Sequence, residues 1–302
     1  MTRHESAAVP EHITAGMFPG PARLRPLLPV LRGLPLPMAE SILAALAVGE
    51  GVVGVRRFRL ASAWAAAQGA TGWARRRIAL ALLANHGRFV AAEAMLGVKR
   101  PDDLGRGVVV EGAEHLRAAA GAILLGFHLG PPRTWLTLRA LGYPVRFAGR
   151  LEMARRDPRW QQAIAEGDVI RLPEGDPRDR LAGLYRIRNL LREGGLVYLT
   201  ADGPFGREAF RIDLPGGPLV VRAGWLALRR ETGAPTLPVF VHRERRGRVI
   251  VVHPPLPRAD VDPARDGAVA RAALAPLIEQ YVRRFPTQCR YLAMPRWPID
   301  PT

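Results

Sequence analysis

The chain is short of three residue types that often carry chemistry: it has one cysteine (Cys289), one lysine (Lys99) and three serines (Ser6, Ser41 and Ser62). A single cysteine excludes a disulfide framework and a cysteine-rich metal site. The serines all fall in the N-terminal segment and none sits in a Gly-x-Ser-x-Gly elbow, which argues against a serine hydrolase. No glycine-rich loop ends in Gly-Lys-Ser/Thr, so a Walker A phosphate loop is excluded as well. Long apolar runs are also missing. The best, "MAESILAALAVG" (38–49), falls below the roughly 18–20 residues that span a bilayer and carries Glu40. The first twenty residues are polar and contain proline, with no basic start feeding an apolar stretch. They read as a disordered tail, and no secretory signal is expected.

What is present is apolar and basic. The 302 residues are 48% hydrophobic, enough for one large α/β domain with a sizeable core. The net charge of +17 points to anionic partners: phospholipid headgroups, phosphorylated carriers or nucleic acid. Wealth in Arg, Ala, Gly and Pro also fits a GC-rich codon bias, so charge alone does not choose among them. Nucleic acid is the weakest of the three, because no recognisable module is present and the aromatics are not interleaved with arginines. Residues 21–36, "PARLRPLLPVLRGLPL", read as an amphipathic surface segment, basic on one side and leucine-rich on the other. The expectation is a cytoplasmic protein that touches a membrane surface.

The pattern divides the chain in two. Helical spacing over 38–49, 56–68 and 73–96 predicts an N-terminal helical layer within 21–106. From 107 to 302 β-type runs alternate with helices. The strands are expected at 107–112, 122–128, 143–149, 168–173, 195–203, 234–244 and 248–256. Helices are expected after the Pro131-Pro132 turn and at about 179–193, 218–232 and 265–285. Such alternation implies a largely parallel sheet covered by helices.

Two stretches carry candidate chemistry. "GAILLGFHLGPPRTWLTL" (121–138) delivers His128 to the end of an apolar strand, just before a helix start. Loops at the C-terminal ends of parallel strands open into the ligand crevice, and a helix start adds positive potential. His128 there is a candidate general base, with a structural turn-capping histidine as the alternative. "LTADGPFGREAF" (199–210) delivers Asp202 and Gly203 into a Gly/Pro loop with Arg207 close behind. Such a loop can cradle an anion on backbone N–H groups and an arginine; a merely solvated connection is the alternative. Cys289 reads as buried. His242 and His253 read as structural residues on strands, and no His-Glu-x-x-His spacing exists.

"GFHLGPPR", "VRFAGR", "TADGPFG" and "GAPTLPVF" appear in the order of the four sequence blocks of the glycerolipid acyltransferases. The chain more specifically resembles their bacterial lipid A biosynthesis (lauroyl/myristoyl) acyltransferase branch. Phe147 and Arg150 match the second block, Asp202 and Gly203 the third, and Pro238 the fourth. "YVRRFPTQCRYLAMPRW" looks like the branch's C-terminal signature, with Pro286 and Gln288. The resemblance implies acyl transfer from an acyl-carrier protein or coenzyme A thioester to a hydroxyl of a lipid or glycolipid. It implies no metal and no redox cofactor, and a peripheral position on the cytoplasmic face of the inner membrane, against its anionic surface. His128 would be the base. Arg150 and Arg207 would bind anionic groups, and Asp202 and Gly203 would shape the acceptor site.

One departure matters. The family's histidine is followed five residues later by Asp or Glu, whereas here that position is Arg133, behind Pro131 and Pro132. The acid normally orients the imidazole, sets its tautomer and stabilises the imidazolium. An arginine would disfavour that cation, but its fork suits an anionic group of the substrate. Three readings stay open. Another acid replaces the missing one, Asp202 first and Glu152 second; or His128 works alone; or the fold only binds a lipid or another anion.

Overall fold

The computed structural model describes residues 28–53, 55–95, 105–132, 134–149, 168–172, 177–202, 208–245, 247–258 and 262–289. The N-terminal layer consists of α1 (Leu28–Gly33), α2 (Leu36–Val53), α3 (Val55–Ala67) and α4 (Gly72–Met95). The α/β part then runs β1 (Val108–Glu111), α5 (Ala113–Ala118), β2 (Ala122–Gly126), α6 (Thr134–Ala140), β3 (Val145–Gly149) and β4 (Val169–Arg171). It continues with α7 (Pro177–Arg192), β5 (Leu196–Thr200), β6 (Ala209–Ile212), β7 (Leu219–Arg222) and α8 (Gly224–Thr232). β8 (Thr236–Glu244), β9 (Gly247–Val252), α9 (Pro263–Arg284) and a 3₁₀ turn, Pro286–Gln288, complete it.

The main sheet has the order β1-β9-β8-β2-β5-β3-β4. Its pairings are parallel except β8–β9, an antiparallel hairpin. β2 lies in the middle and all five of its residues are buried. Because side chains alternate across a strand, Ile123 and Leu125 join the cluster with Ile187, Leu191, Leu274 and Ile278 of α7 and α9. Leu124 joins the opposite cluster with Leu116, Trp135 and Leu138 of α5 and α6. Both faces are covered, which is why these strands read as continuous apolar runs.

Three local readings are corrected. The helix placed at 218–232 begins only at Gly224, and 219–222 is β7, paired antiparallel with β6 in a separate hairpin. "FRIDLPGGPLVVR" carries two β-type runs around a Pro-Gly-Gly turn, and strand pairing there overrides the helical spacing. Strand β2 ends at Gly126, so Phe127 and His128 belong to the loop beyond it. The helix expected at 38–49 extends to 36–53, through Gly49 and Gly51, and is long and apolar enough to cross a membrane by length and composition. Its packing explains the extension. Ala39, Glu40, Leu43, Ala44 and Gly51 are buried, and α4 approaches so closely that a Cβ on Gly87 would stand 2.1 Å from the Leu43 carbonyl oxygen.

The helical layer is tied to the sheet's C-terminal rim. Trp64 Nε1 of α3 donates to the Pro286 carbonyl at 2.9 Å, and Asn85 Nδ2 of α4 donates to the Thr287 carbonyl at 2.9 Å. Gln68 Nε2 donates to Pro215 O at the tip of the β6–β7 hairpin, 2.7 Å away.

Candidate active site

β2 and β5 are parallel neighbours in the register Gly126↔Thr200. The ladder runs one step beyond the strands, Ala201 N–H donating to Gly126 O at 2.9 Å. Position 128 of one loop and position 202 of the other therefore stand side by side at the same rim, 74 residues apart in sequence. Both oxygens of the Asp202 carboxylate are used by His128. The ring Nδ1 meets Oδ1 at 2.9 Å, and the His128 backbone N–H donates to Oδ2 at 2.7 Å. The backbone bond places the loop and the ring bond places the imidazole.

The pair is unequally exposed: the Asp202 side chain is 3% accessible and the His128 side chain 31%. Asp202 accepts from the His128 backbone N–H, and as a carboxylate it accepts from the ring as well, which places the imidazole proton on Nδ1. An imidazole held in this way by a carboxylate can serve as a charge-stabilised general base.

The surroundings hold the loop still. Gly130 has φ 79°, and a Cβ there would fall 1.9 Å from the Val241 carbonyl oxygen. The turn is thus restricted to glycine by both conformation and space. Its N–H donates to Gln288 O at 3.2 Å. The Gln288 side-chain amide brackets the backbone of Arg243 on β8, accepting from its N–H at 2.8 Å and donating to its carbonyl at 2.9 Å. On the other side, Arg222 N–H at the end of the β6–β7 hairpin donates to Ala201 O at 2.6 Å.

Beneath the rim, Tyr198 occupies the space that Gly126 vacates, since a Cβ at 126 would lie 1.9 Å from its hydroxyl. Burial pushes the Tyr198 phenol far up, a hydrogen bond with the Thr134 side chain opposes this, and the Asp202 charge adds to it. It therefore remains a neutral hydroxyl. Phe147 stacks on Trp135 at 5.5 Å and lies 6.4 Å from Tyr198. It sits among the aromatics that support α6, with its ring part-buried.

Of the residues singled out in the sequence, the structure brings His128 and Asp202 together and sets Phe147 in the packing below. Arg133, Arg150, Glu152, Gly203 and Arg207 lie outside the described residues. Tyr198 and the Gln288 clamp were not read as parts of a site. The one signal for Gln288 was its place in the C-terminal "PTQCRY". Cys289 is fully buried and burial raises its thiol pKa, so it stays a protonated packing residue. His242 is buried and stacks on Phe285 at 4.1 Å.

The model of the bacterial lipid A biosynthesis acyltransferases matches residues 27–297. The chain belongs to that family. Acyl transfer to a lipid acceptor is the chemistry this membership carries. Among solved structures, the 1-acyl-sn-glycerophosphate (LPA) acyltransferase PlsC from Thermotoga maritima is a distant likeness. It is 18% identical, with 87% of this chain and 95% of that one covered and a TM-score of 0.37. A search of the curated proteins finds no sequence match. In this member of the family the residue five beyond the histidine is Arg133, and the carboxylate on the imidazole comes from Asp202, at the end of the neighbouring strand.

Proposed function

We propose that this acyltransferase moves a fatty acyl group from an acyl thioester to a hydroxyl of a lipid or glycolipid, working peripherally at the cytoplasmic face of the inner membrane. The observation that carries the proposal is the two-point contact between His128 and buried Asp202. His128 Nε2 takes the proton of the acceptor hydroxyl as its oxygen attacks the thioester carbonyl. Asp202 keeps the proton on Nδ1 and stabilises the imidazolium that forms. Collapse of the tetrahedral intermediate forms the new ester and breaks the carbon–sulfur bond. The departing thiolate takes the proton back from Nε2, so the base is regenerated. Acyl-carrier protein or coenzyme A carries the donor, which is a substrate rather than a resident cofactor. Arg133, Arg150 and Arg207 are the candidates for its anionic groups or those of the acceptor.

Met38, Ile42 and Leu46 support the membrane reading. They recur every fourth residue on α2 and are 52%, 41% and 47% exposed, making an apolar stripe on successive turns. Trp73, 71% exposed, precedes Arg75-Arg76-Arg77 at the start of α4. An imidazole held by a carboxylate at two points favours catalysis over lipid binding alone.

The test is acyl transfer by purified protein, given acyl-carrier protein or coenzyme A thioesters and membrane lipid, alongside mass spectrometry of lipids from a deletion strain. His128→Ala should lower turnover by about 10²–10⁴-fold and fail to restore the missing acyl chain. Undiminished transfer in His128→Ala, or a deletion strain with unaltered lipids, would overturn the reading.

A further inference from the structure

A second polar cluster lies on the same rim and takes no part in the chemistry above. The β8–β9 register sets Arg243 directly opposite Arg248. Like charges facing each other across an antiparallel pair are destabilising. α4 adds Arg88, whose Nη1 donates to Asn85 Oδ1 at 2.8 Å. The one carboxylate that the described residues bring to this group is Glu40 of α2, itself 6% exposed at the side chain. It pairs with Arg243 and stands 3.8 Å from Arg248. Three guanidiniums thus share one acid. Burial and, after it, the neighbouring Arg243 charge press the Arg88 cation toward neutrality, with Glu40 opposing them. Arg248 is pressed the same way by burial, while the Glu40 charge works against it.

Among the described residues two of the three cations have no carboxylate of their own, and an anion joining them would balance the corner. Arg243 and Arg88 retain the exposure that an arriving ligand needs, the Arg243 side chain being 31% accessible. The place is also informative. Gly130, two residues after His128, packs on the Val241 carbonyl, and Gln288 connects Gly130 to Arg243. The cluster therefore flanks the His128 loop on the β8 side. Guanidinium groups converging from two strands and a helix suit a tetrahedral oxyanion with several acceptor oxygens.

We propose that Arg88, Arg243 and Arg248, oriented by Glu40, form a phosphate-binding site beside the His128 rim. Its ligand is a phosphate mono- or diester, either a lipid headgroup or a soluble phosphate compound.

The test compares the full-length protein with Arg88→Gln, Arg88→Lys and, as an exposed control, Arg192→Gln. Thermal stability and binding are measured with inorganic phosphate against chloride at matched ionic strength. The wild type should show saturable stabilisation by phosphate beyond that by chloride. Arg88→Gln should be as stable as the wild type in chloride, or more so, because a repelling charge is gone. It should bind phosphate about tenfold more weakly, as the loss of one charge-assisted hydrogen bond implies. Arg88→Lys should recover part of the binding, and Arg192→Gln should match the wild type. Two further arms separate the sources. Soluble sn-glycerol 3-phosphate and phosphatidylcholine vesicles containing phosphatidic acid are each titrated. A headgroup site loses more on vesicles in Arg88→Gln, and a free-phosphate site loses more in solution. A phosphate response in Arg88→Gln equal to the wild type's overturns the proposal. So does a fall in its stability in chloride, which would make Arg88 a structural member of the network.

Discussion

Two carboxylates in this molecule each use both oxygens to hold a nitrogenous partner from a distant element, and they do opposite things. Asp202 holds the backbone and ring of His128 at the sheet's rim. Asp266, in the first turn of α9, holds Arg229 of α8 through Nε at 3.1 Å and through Nη2. Both acids are buried. The partners differ. Arg229 is fully enclosed, with its guanidinium 5.3 Å from the Trp225 ring, and also donates to Pro257 O. His128 keeps about a third of its side chain in solvent. Arginine stays charged at any pH a protein meets, so sealing it against a carboxylate produces a fixed strut between helices. An imidazole can pass a proton on, so the same grip on a ring that reaches solvent suits the general-base role proposed for His128. The lesson is that a buried acid identifies neither structure nor chemistry, and the exposure and proton affinity of its partner decide.

The largest effect that sharpens this contrast is on stability. Asp266→Ala leaves Arg229 buried without its counter-charge and should cost about 3–5 kcal/mol in chemical denaturation. Turnover per folded molecule should be unaffected. The double change Arg229→Met with Asp266→Ala should recover much of that stability, because the desolvated charge is removed together with its partner. A double variant as unstable as the single one would show that the strut is worth more than its own desolvation.

Asp202→Asn should do the reverse. The amide can still accept from the His128 backbone, but its NH₂ then faces Nδ1 and favours the wrong tautomer. Turnover should fall on the order of 10²–10³-fold, about 3–4 kcal/mol of barrier, with a smaller change in donor KM. Stability should change by less than in Asp266→Ala. An equal loss in KM and turnover, or a collapse of the fold, would erase the distinction between the two pairs.

The smallest effect concerns a histidine without a carboxylate. His253 lies just beyond β9, with its ring edge-on to Phe240 at 5.5 Å. Burial, and then the nearby His115, lowers its pKa below the ordinary value of about 6.5. The folded state thus resists its protonation. The stability it contributes is complete above about pH 6.5 and is lost as the pH falls toward the depressed value. His253→Gln should flatten that acid limb in denaturation midpoints measured from about pH 7.5 to 5. An unchanged limb would assign the loss to other groups.

Much of the fold was legible because its signals are local. The apolar runs of β2, β5 and β8 alternate with helices bounded by proline and glycine, and such alternation admits little besides a parallel sheet under helices. The β6–β7 hairpin was misread because "PLVVRAGWLALRR" satisfies helical spacing, and short apolar runs carry either period. The short helix α5 was not foreseen at all; six residues carry too little periodicity to register. At the site, His128 was visible from its position at a strand end. Its acid was visible only as one of two candidates.

By itself the sequence determined the fold class, the order of the four family blocks and the placing of His128 at the end of a buried strand. These follow from hydrophobic period and from turn residues, which act over a few positions. Only the tertiary structure decided that Asp202 is the acid on the imidazole, that Gln288 braces the His128 loop, and that Arg88, Arg243 and Arg248 crowd around Glu40. Each of those depends on which strand lies next to which and in what register. A register is chosen by burying both faces of the whole sheet at once, and no stretch of sequence holds that balance alone.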